Sequence, residues 1–394
     1  MASDVRELTL DAVRSLAKRG TRDLRLLAVT IFCVSFGFGT YFATFNNFVV
    51  QSLDLQPQQL GILEAAREMP GFLMFLIAAL TMTVAEPILA SIALMLVATG
   101  VAAYCRVNSL TSLLLFSLVW SIGLHVWMPL SPSMVLNLSD ESNKGRRLGQ
   151  MNSVAAIGTI CGMCLVFILG KYIGFKNIFL IAGCIAGLGA VSVSFIRRNI
   201  GHAEKPRFVF KRRYSLYYLL TFLEGCRKQV FITFAIFALV RNYGTPLRVV
   251  AALMIFNNLI NFILAPKVGR LIDRIGERRV LAFCYAALIP VFIGYATIKR
   301  VPFLYVLYCL DNLFFLGSIG LNTYLHRICS PEDLMPSLVM GVSVNHAAAV
   351  AVPLIGGFLW SRLGYQATFF GGAVVVALSV LVALSIKAAN PAHA

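Results

Sequence analysis

Apolar runs long enough to cross a bilayer recur along the chain, separated by short polar stretches. A spanning helix needs roughly 20 mostly apolar residues. Twelve such segments are predicted, at about 26–50, 59–80, 85–104, 109–129, 147–170, 176–196, 214–240, 247–266, 280–298, 302–326, 335–358 and 365–387. Their length and lack of alternation exclude a transmembrane β-barrel. The expected fold class is all-α integral membrane with twelve transmembrane helices. Residues 1–25 are polar and basic, and the run that follows is too long for a signal h-region, so no cleavable leader is expected. This leader suits an amphipathic cytoplasmic helix with Asp4 as N-cap and Glu7 at N3. Leu8, Val13, Leu16 and Ala17 would then lie on the membrane, with Arg14, Lys18 and Arg19 towards headgroups. A partly ordered basic tail is the other reading.

Composition removes the soluble alternatives. Hydrophobic residues make up 59% and charged residues 13%, where soluble chains carry about 25% charge. A mean hydropathy of +0.81 excludes disorder as well. The net charge of +17, from 34 Lys and Arg against 17 Asp and Glu, would suggest nucleic acid in a soluble protein. Here it sorts by side. With the N-terminus inside, the inner segments hold 23 cations and the outer ones 8. That bias predicts both termini in the cytoplasm. The expected partners are a small solute, protons and membrane lipids, with no nucleic acid. A monomer in the cell membrane, of the bacterial cytoplasmic type, is expected.

The longest polar stretch between spans, 197–213, lies near the midpoint and reads as a basic cytoplasmic linker. It separates six-helix bundles at 26–196 and 214–387, with a tail at 388–394. Internal similarity supports a repeat. Phe42, Phe45, Phe48 and Pro57 recur as Phe231, Phe234, Phe237 and Pro246, an offset of 189. Gly174, Phe175 and Phe179 recur as Gly364, Tyr365 and Phe369, an offset of 190. Two pseudo-symmetric halves with a site near the midplane are a transporter architecture.

Between spans 8 and 9 stands Gly269-Arg-Leu-Ile-Asp273-Arg274-Ile-Gly276-Glu277-Arg278-Arg279. This resembles the cytoplasmic-loop signature G-x-L-x-D-R-x-G-x-R-R of the major facilitator superfamily. Together with twelve spans and a central basic loop, the resemblance covers the whole chain. It implies a gate that makes and breaks during alternating access. Gly269 would allow close helix approach, and Asp273 would accept hydrogen bonds from a helix N-terminus or an Arg. Arg274, Arg278 and Arg279 would sit at inner headgroup level, beside Gly276. The equivalent loop between spans 2 and 3 departs from the pattern, reading Ala79-Leu-Thr-Met-Thr-Val-Ala-Glu86-Pro87. The drug-antiporter pattern G-x-x-x-G-P-x-x-G-G is also incomplete. Gly158-x-x-x-Gly162 is followed by Met163, and a P-x-x-G-G stands instead on span 11 as Pro353-Leu-Ile-Gly356-Gly357. Neither a nitrate/nitrite-porter nor a sugar-porter signature is present.

Ionisable groups at bilayer depth are costly and mark functional candidates. Span 2 contains Glu64, Arg67 and Glu68; span 7 contains Glu224, Arg227 and Lys228; span 10 contains Asp311 with Asn312. His125 on span 4, Asn345 and His346 on span 11, and Asn257, Asn258 and Asn261 on span 8 add polar groups. Each carboxylate three residues before an Arg can pair with it on one helix face, so self-neutralisation is one reading. Span 7 carries two cations for one anion, and the excess needs a partner, for which Asp311 from span 10 and an anionic substrate are the candidates, each in turn if the substrate displaces the carboxylate. Arg227 and Lys228, with Arg67, are therefore candidates to hold an anionic group, since Arg suits bidentate capture of planar anions. Asn257, Asn312, Asn345 and His346 are candidate substrate contacts. A carboxylate in a low dielectric exchanges its proton as a cation comes and goes, so Glu224, Asp311, Glu68, Glu64 and His125 are candidates for proton coupling. The four gate-loop charges Asp273, Arg274, Arg278 and Arg279 and the two glycines Gly269 and Gly276 complete the set.

The nine cysteines, including Cys161 and Cys164, fit helix packing, and no metal or cofactor is expected. Walker A, H-E-x-x-H and G-x-S-x-G are absent, which argues against an enzyme. The primary expectation is proton-coupled secondary transport of a small polar, anionic solute. Proton-driven efflux of amphipathic or cationic compounds is the alternative, with Glu224 and Asp311 as binding acids. A transporter-like sensor without flux is the third.

Overall fold

The computed structural model describes residues 2–81, 83–198 and 210–387. The tail 388–394 and most of the linker lie outside the described residues, as do the side chains of the leader on which an amphipathic face would rest. Among the described residues the chain is helical throughout, with no strand. Nine of the described helical segments are long and apolar enough to cross a membrane by length and composition.

All twelve expected segments are helical. The first helix, α1, runs from Ala2 to Leu53 without a break, so the leader passes straight into the first span and Asp4 lies inside the helix, not at its cap. Then follow α2 (Pro57–Phe72), α3 (Met74–Thr81), α4 (Glu86–Ala102) and α5 (Leu110–Asn137). The next helix, α6 (Lys144–Ser194), holds two expected spans in one 51-residue element bent at Gly174, whose φ of 71° and ψ of 160° are not helical. The second half comprises α7 (Ser215–Tyr243), α8 (Leu247–Ile275), α9 (Glu277–Thr297), α10 (Val301–Phe315), α11 (Ile319–Ile328), α12 (Pro331–Leu363) and α13 (Tyr365–Leu384). Proline stands in the first turn of α2, α4, α10 and α12, where its missing N–H costs nothing.

The chain divides into two compact units. One comprises Met1–Phe42, Met74–Val107 and Leu115–Lys205; the other comprises Ala43–Leu73, Asn108–Leu114 and Pro206–Ala394. The division between 205 and 206 falls within the expected linker. The far end of α1 and all of α2, however, belong with the second unit.

The repeat is visible in local geometry, with a register of 190 residues between α1 and α7 and at the Gly174 and Gly364 turns, and of 191 between α4 with its following turn and α9. Asp54 (φ 45°) and Gly244 (φ 63°) both take left-handed backbone at the ends of α1 and α7; Gly174 (φ 71°) and Gly364 (φ 86°) do so at the second matching turn. The Leu55 amide bonds the Val49 carbonyl at 3.0 Å, and the Thr245 amide bonds that of Leu239 at 3.0 Å. In the first unit Tyr41, Tyr104 and Phe179 pack together with centroids 5.0 to 5.8 Å apart. In the second, Phe231, Tyr295 and Phe369 form the same triangle at 4.8 to 6.0 Å. The 189-residue register of Phe42 with Phe231 is thereby corrected. Phe42 is 39% exposed, whereas Phe231 is buried; the equivalent of Phe231 is Tyr41.

Small residues set the helix crossings. In the first unit the Gly158-x-x-x-Gly162 pair lies against α1. A Cβ on Gly162 would stand 2.2 Å from the Phe36 carbonyl oxygen, and one on Gly158 would stand 2.6 Å from that of Phe32. This stretch of α6 is a packing surface for α1, as small-xxx-small spacing allows.

Candidate functional site

The span 7 charges meet α10 in the second unit. On α7, Glu224 stands three residues before Arg227 and four before Lys228, so one helix face carries all three. Arg227 is enclosed, at 1% exposure. Its Nε donates to Glu224 Oε2 at 3.0 Å and its Nη2 to Oε1, a bidentate pair. Its Nη1 reaches Asp311 Oδ1 on α10 at 3.4 Å. The guanidinium carbon lies 5.1 Å from the centroid of Phe315. Two carboxylates and a ring thus occupy Arg227. Lys228 differs. It is half-buried, its Nζ stands 5.9 Å from the centroid of the same Phe315, and it forms no ion pair among the described residues.

Phe315 and Tyr308 are members the sequence reading missed. Tyr308, Asp311, Asn312 and Phe315 fall at i, i+3, i+4 and i+7, so they form one stripe of α10. Extending the helical period from Asp311 in both directions would have found them. Asn312 and Asn261 on α8 exchange amide bonds of 2.9 and 3.3 Å. The Asn312 amide also donates to the Asn257 carbonyl at 3.3 Å. Asn257 is buried and meets the Tyr308 hydroxyl.

The span 2 charges form a second cluster in the same unit, between α2 and α12. Arg67 Nη1 donates to Glu64 Oε1 at 2.5 Å and lies 5.3 Å from the Phe45 centroid. Glu68 Oε2 stands 3.0 Å from His346 Nδ1 on α12. The neighbouring residue, Asn345, faces α7: a Cβ on Gly225, beside Glu224, would be 3.0 Å from its Nδ2. Consecutive residues of α12 therefore touch the two charged helices. His125 lies in the other unit, buried on α5, with Nδ1 2.9 Å from the Ser121 carbonyl oxygen and 3.1 Å from its hydroxyl.

The gate loop is arranged differently from expectation. Asp273 is exposed and accepts no hydrogen bond among the described residues. A Cβ on Gly269 would meet nothing within 4 Å, so no helix approaches it closely. Arg274, Arg278 and Arg279 are exposed, and Gly276 turns the chain from α8 into α9 with φ 83°. The buried acid of the loop is Glu277. It receives Arg327 Nε at 3.2 Å from the end of α11. The loop without the signature has its own version. Glu86, at the start of α4 and 2% exposed, accepts from Ser133 Oγ at 2.6 Å and Asn137 Nδ2 at 3.2 Å at the end of α5. Glu86 and Glu277 are repeat partners, as are Asn137 and Arg327.

Comparison with known proteins agrees with this architecture. The family model of the Major Facilitator Superfamily matches residues 27–213 and 217–394. A multi-drug resistance efflux pump PmrA homolog of Lactococcus lactis subsp. lactis is 22% identical over 287 residues, covering 66% of this chain and 70% of that protein. Among solved structures, the nucleoside transporter NupG superposes with a TM-score of 0.72 at 14% identity, over 92% of this chain and 97% of that one. A D-xylose-proton symporter gives 0.67 at 12% identity, over 93% and 98%. At these identities the structures carry the fold alone. The family model spans both halves of the chain, and this protein belongs to the major facilitator superfamily of multi-pass membrane transporters.

Proposed function

We propose that the protein carries a small, polar, anionic solute across the cell membrane by alternating access, coupled to protons. The observation that carries this reading is Lys228. It is a cation on a spanning helix with no carboxylate partner among the described residues, beside an Arg227 already held by Glu224 and Asp311. A half-buried ammonium without a carboxylate partner is costly at this depth, and an anionic solute supplies the missing charge. Phe315 holds Lys228 in place through its ring face. Asn312 on that stripe of α10, with Asn257 and Asn261 facing it from α8, provides amide contacts. In this reading Arg227 organises the site and Lys228 contacts the solute. The Glu68–His346 pair, which bridges α2 and α12, takes up the coupling proton. The charge bias of the loops supports twelve crossings with both termini in the cytoplasm.

The test is Lys228→Gln in proteoliposomes, with Lys228→Arg alongside. Uptake of radiolabelled organic anions should fall at least tenfold in the Gln variant and persist in the Arg variant, with melting unchanged. Undiminished anion flux in Lys228→Gln would remove the assignment. Efflux of amphipathic cations is the second reading. The relative named as a multi-drug efflux pump favours it, as do the aromatic rings around the charged helices. It predicts that Asp311→Asn, and not Lys228→Gln, abolishes flux.

A further inference from the structure

Asn257 on α8 gives its carbonyl to Asn312 and meets the Tyr308 hydroxyl, but its Oδ1 has no hydrogen-bond partner among the described residues. The residue is buried. A buried acceptor left without a donor is costly, and folded proteins keep few of them. A second such group stands near. The Tyr295 hydroxyl on α9, also buried, lacks a hydrogen-bond partner among the described residues. It lies within electrostatic reach of Tyr308 and Asp311. Its ring packs at 4.9 Å on Phe231, which stacks on Tyr308 at 6.4 Å. An acceptor and a hydroxyl therefore stand beside Tyr308, one turn of α10 before Asp311 and Asn312.

The repeat supplies the contrast. Tyr104, the partner of Tyr295, sits in the same triangle of rings, yet its hydroxyl is saturated. It meets the Tyr41 hydroxyl at 2.9 Å and Ser117 Oγ at 2.5 Å, and accepts from Trp120 Nε1 at 3.3 Å. In the second unit Tyr41 is answered by Phe231, which has no hydroxyl to offer. The charges differ as well. In the register of α1 with α7, Glu224, Arg227 and Lys228 answer to Val34, Gly37 and Phe38. The shared fold therefore demands neither these charges nor an open hydroxyl.

We propose that the solute is a hydroxylated organic anion: Lys228 holds its anionic end, while Asn257 Oδ1 and the Tyr295 hydroxyl take a hydroxyl group at its other end. A hydroxyl both donates and accepts, so it satisfies Asn257 and Tyr295 together. An ammonium only donates, and would leave the Tyr295 proton unpaired. Phe315, beside Lys228, and Tyr308, beside Asn257, are seven residues apart on one stripe of α10, roughly 10 Å along its axis. The two ends of the solute are therefore separated by several carbon atoms. The stripe is half-buried at Tyr308, Asn312 and Phe315, so a small solute lying along it reaches both groups by side-chain adjustment. This inference rests on the anion reading of Lys228.

The experiment compares matched carboxylates on the full-length protein. Butanoate, pentanoate and hexanoate are each titrated beside their ω-hydroxy and ω-amino forms, and apparent affinity is read from ligand-induced thermal stabilisation. A site built around a hydroxyl rejects the analogue lacking it, because its own buried groups are then left unpaired. At one chain length or more, the hydroxy acid should bind the parent protein about tenfold or more tighter than its plain counterpart. Asn257→Leu should bring that ratio close to one, and Tyr295→Phe, which keeps the ring, should lower it. Lys228→Gln should weaken both members of a pair and keep their ratio. A ratio near one at every length in the parent overturns the proposal without recourse to any variant. So does a ratio that Asn257→Leu leaves unchanged, or an ω-amino acid that binds tighter than the hydroxy acid. If no carboxylate binds at all, the anion reading falls and this inference with it; if both members bind equally, this inference alone falls.

Discussion

Arg227 and Lys228 are adjacent in sequence yet differ in kind. Arg227 has lost its water and regained two carboxylates; Lys228 keeps partial exposure and a ring. Removing one partner from a buried ionic network strands the others, at about 3–5 kcal/mol. Arg227→Ala should therefore lower the stability of the detergent-solubilised protein by about that amount, whereas Lys228→Gln leaves melting near the parent value. Denaturation monitored by intrinsic fluorescence separates the two. The residue types at these positions were legible in the sequence, because charges in an apolar run stand out. Their roles were not. The excess cation on span 7 asks for a partner, and Asp311 of α10 is one of the two candidates; what the spacing of Glu224, Arg227 and Lys228 does not say is that Asp311 goes to the Arg and not to the Lys. Phe315 was hidden for a different reason: with 29 Phe in the chain, one more carries no signal until its helix neighbours are named.

At the scale of helices, apolar length alone marked segments that are all helical, and nine of the described helical segments are long and apolar enough to cross a membrane. Register was harder. Three phenylalanines and a proline aligned at 189, but turns with positive φ fix 190, and the ring pairs Tyr41 with Phe231 and Phe179 with Phe369 agree, because those positions are constrained by backbone sterics and close packing. Glycine motifs were legible as motifs and illegible as partners. Gly162 meets α1, whereas Gly269, in the loop signature, meets nothing. Opposite outcomes are expected on substitution. Gly162→Ala forces α1 and α6 apart and should cost about 1–3 kcal/mol. Gly269→Ala should be neutral or stabilising by up to about 1 kcal/mol, since alanine favours the helix. Thermal melts of the two variants against the parent check both.

For the whole molecule, the family membership follows from the match of the family model across both halves, with which the loop signature agrees. The division of the chain is less obvious from sequence. A linker at 197–213 marks the midpoint, but Ala43–Leu73 packs with the second unit because Gly61, Asn47 and Asp54 all find their partners there. The proposed coupling belongs to this scale, because a coupling proton would have to act on helices from both halves of the repeat. Glu68 on α2 and His346 on α12 meet that requirement. An inward pH gradient should accelerate solute flux in proteoliposomes, and Glu68→Gln should abolish the acceleration while leaving counterflow exchange intact. Flux indifferent to the gradient in the parent protein would identify a uniporter.

The repeat-related acids Glu86 and Glu277 carry one more consequence. They occupy matching helix starts, but Glu86 is held by the neutral Ser133 and Asn137, and Glu277 by the cation Arg327. Mobile ions weaken attraction between partly exposed charges, over a screening length of about 8 Å at physiological ionic strength, and leave neutral hydrogen bonds nearly untouched. Arg327 is partly exposed. The two halves should therefore answer salt unequally. Raising potassium chloride should increase amide exchange at the α9 start and the α11 end, while the α4 start and the α5 end hold their protection.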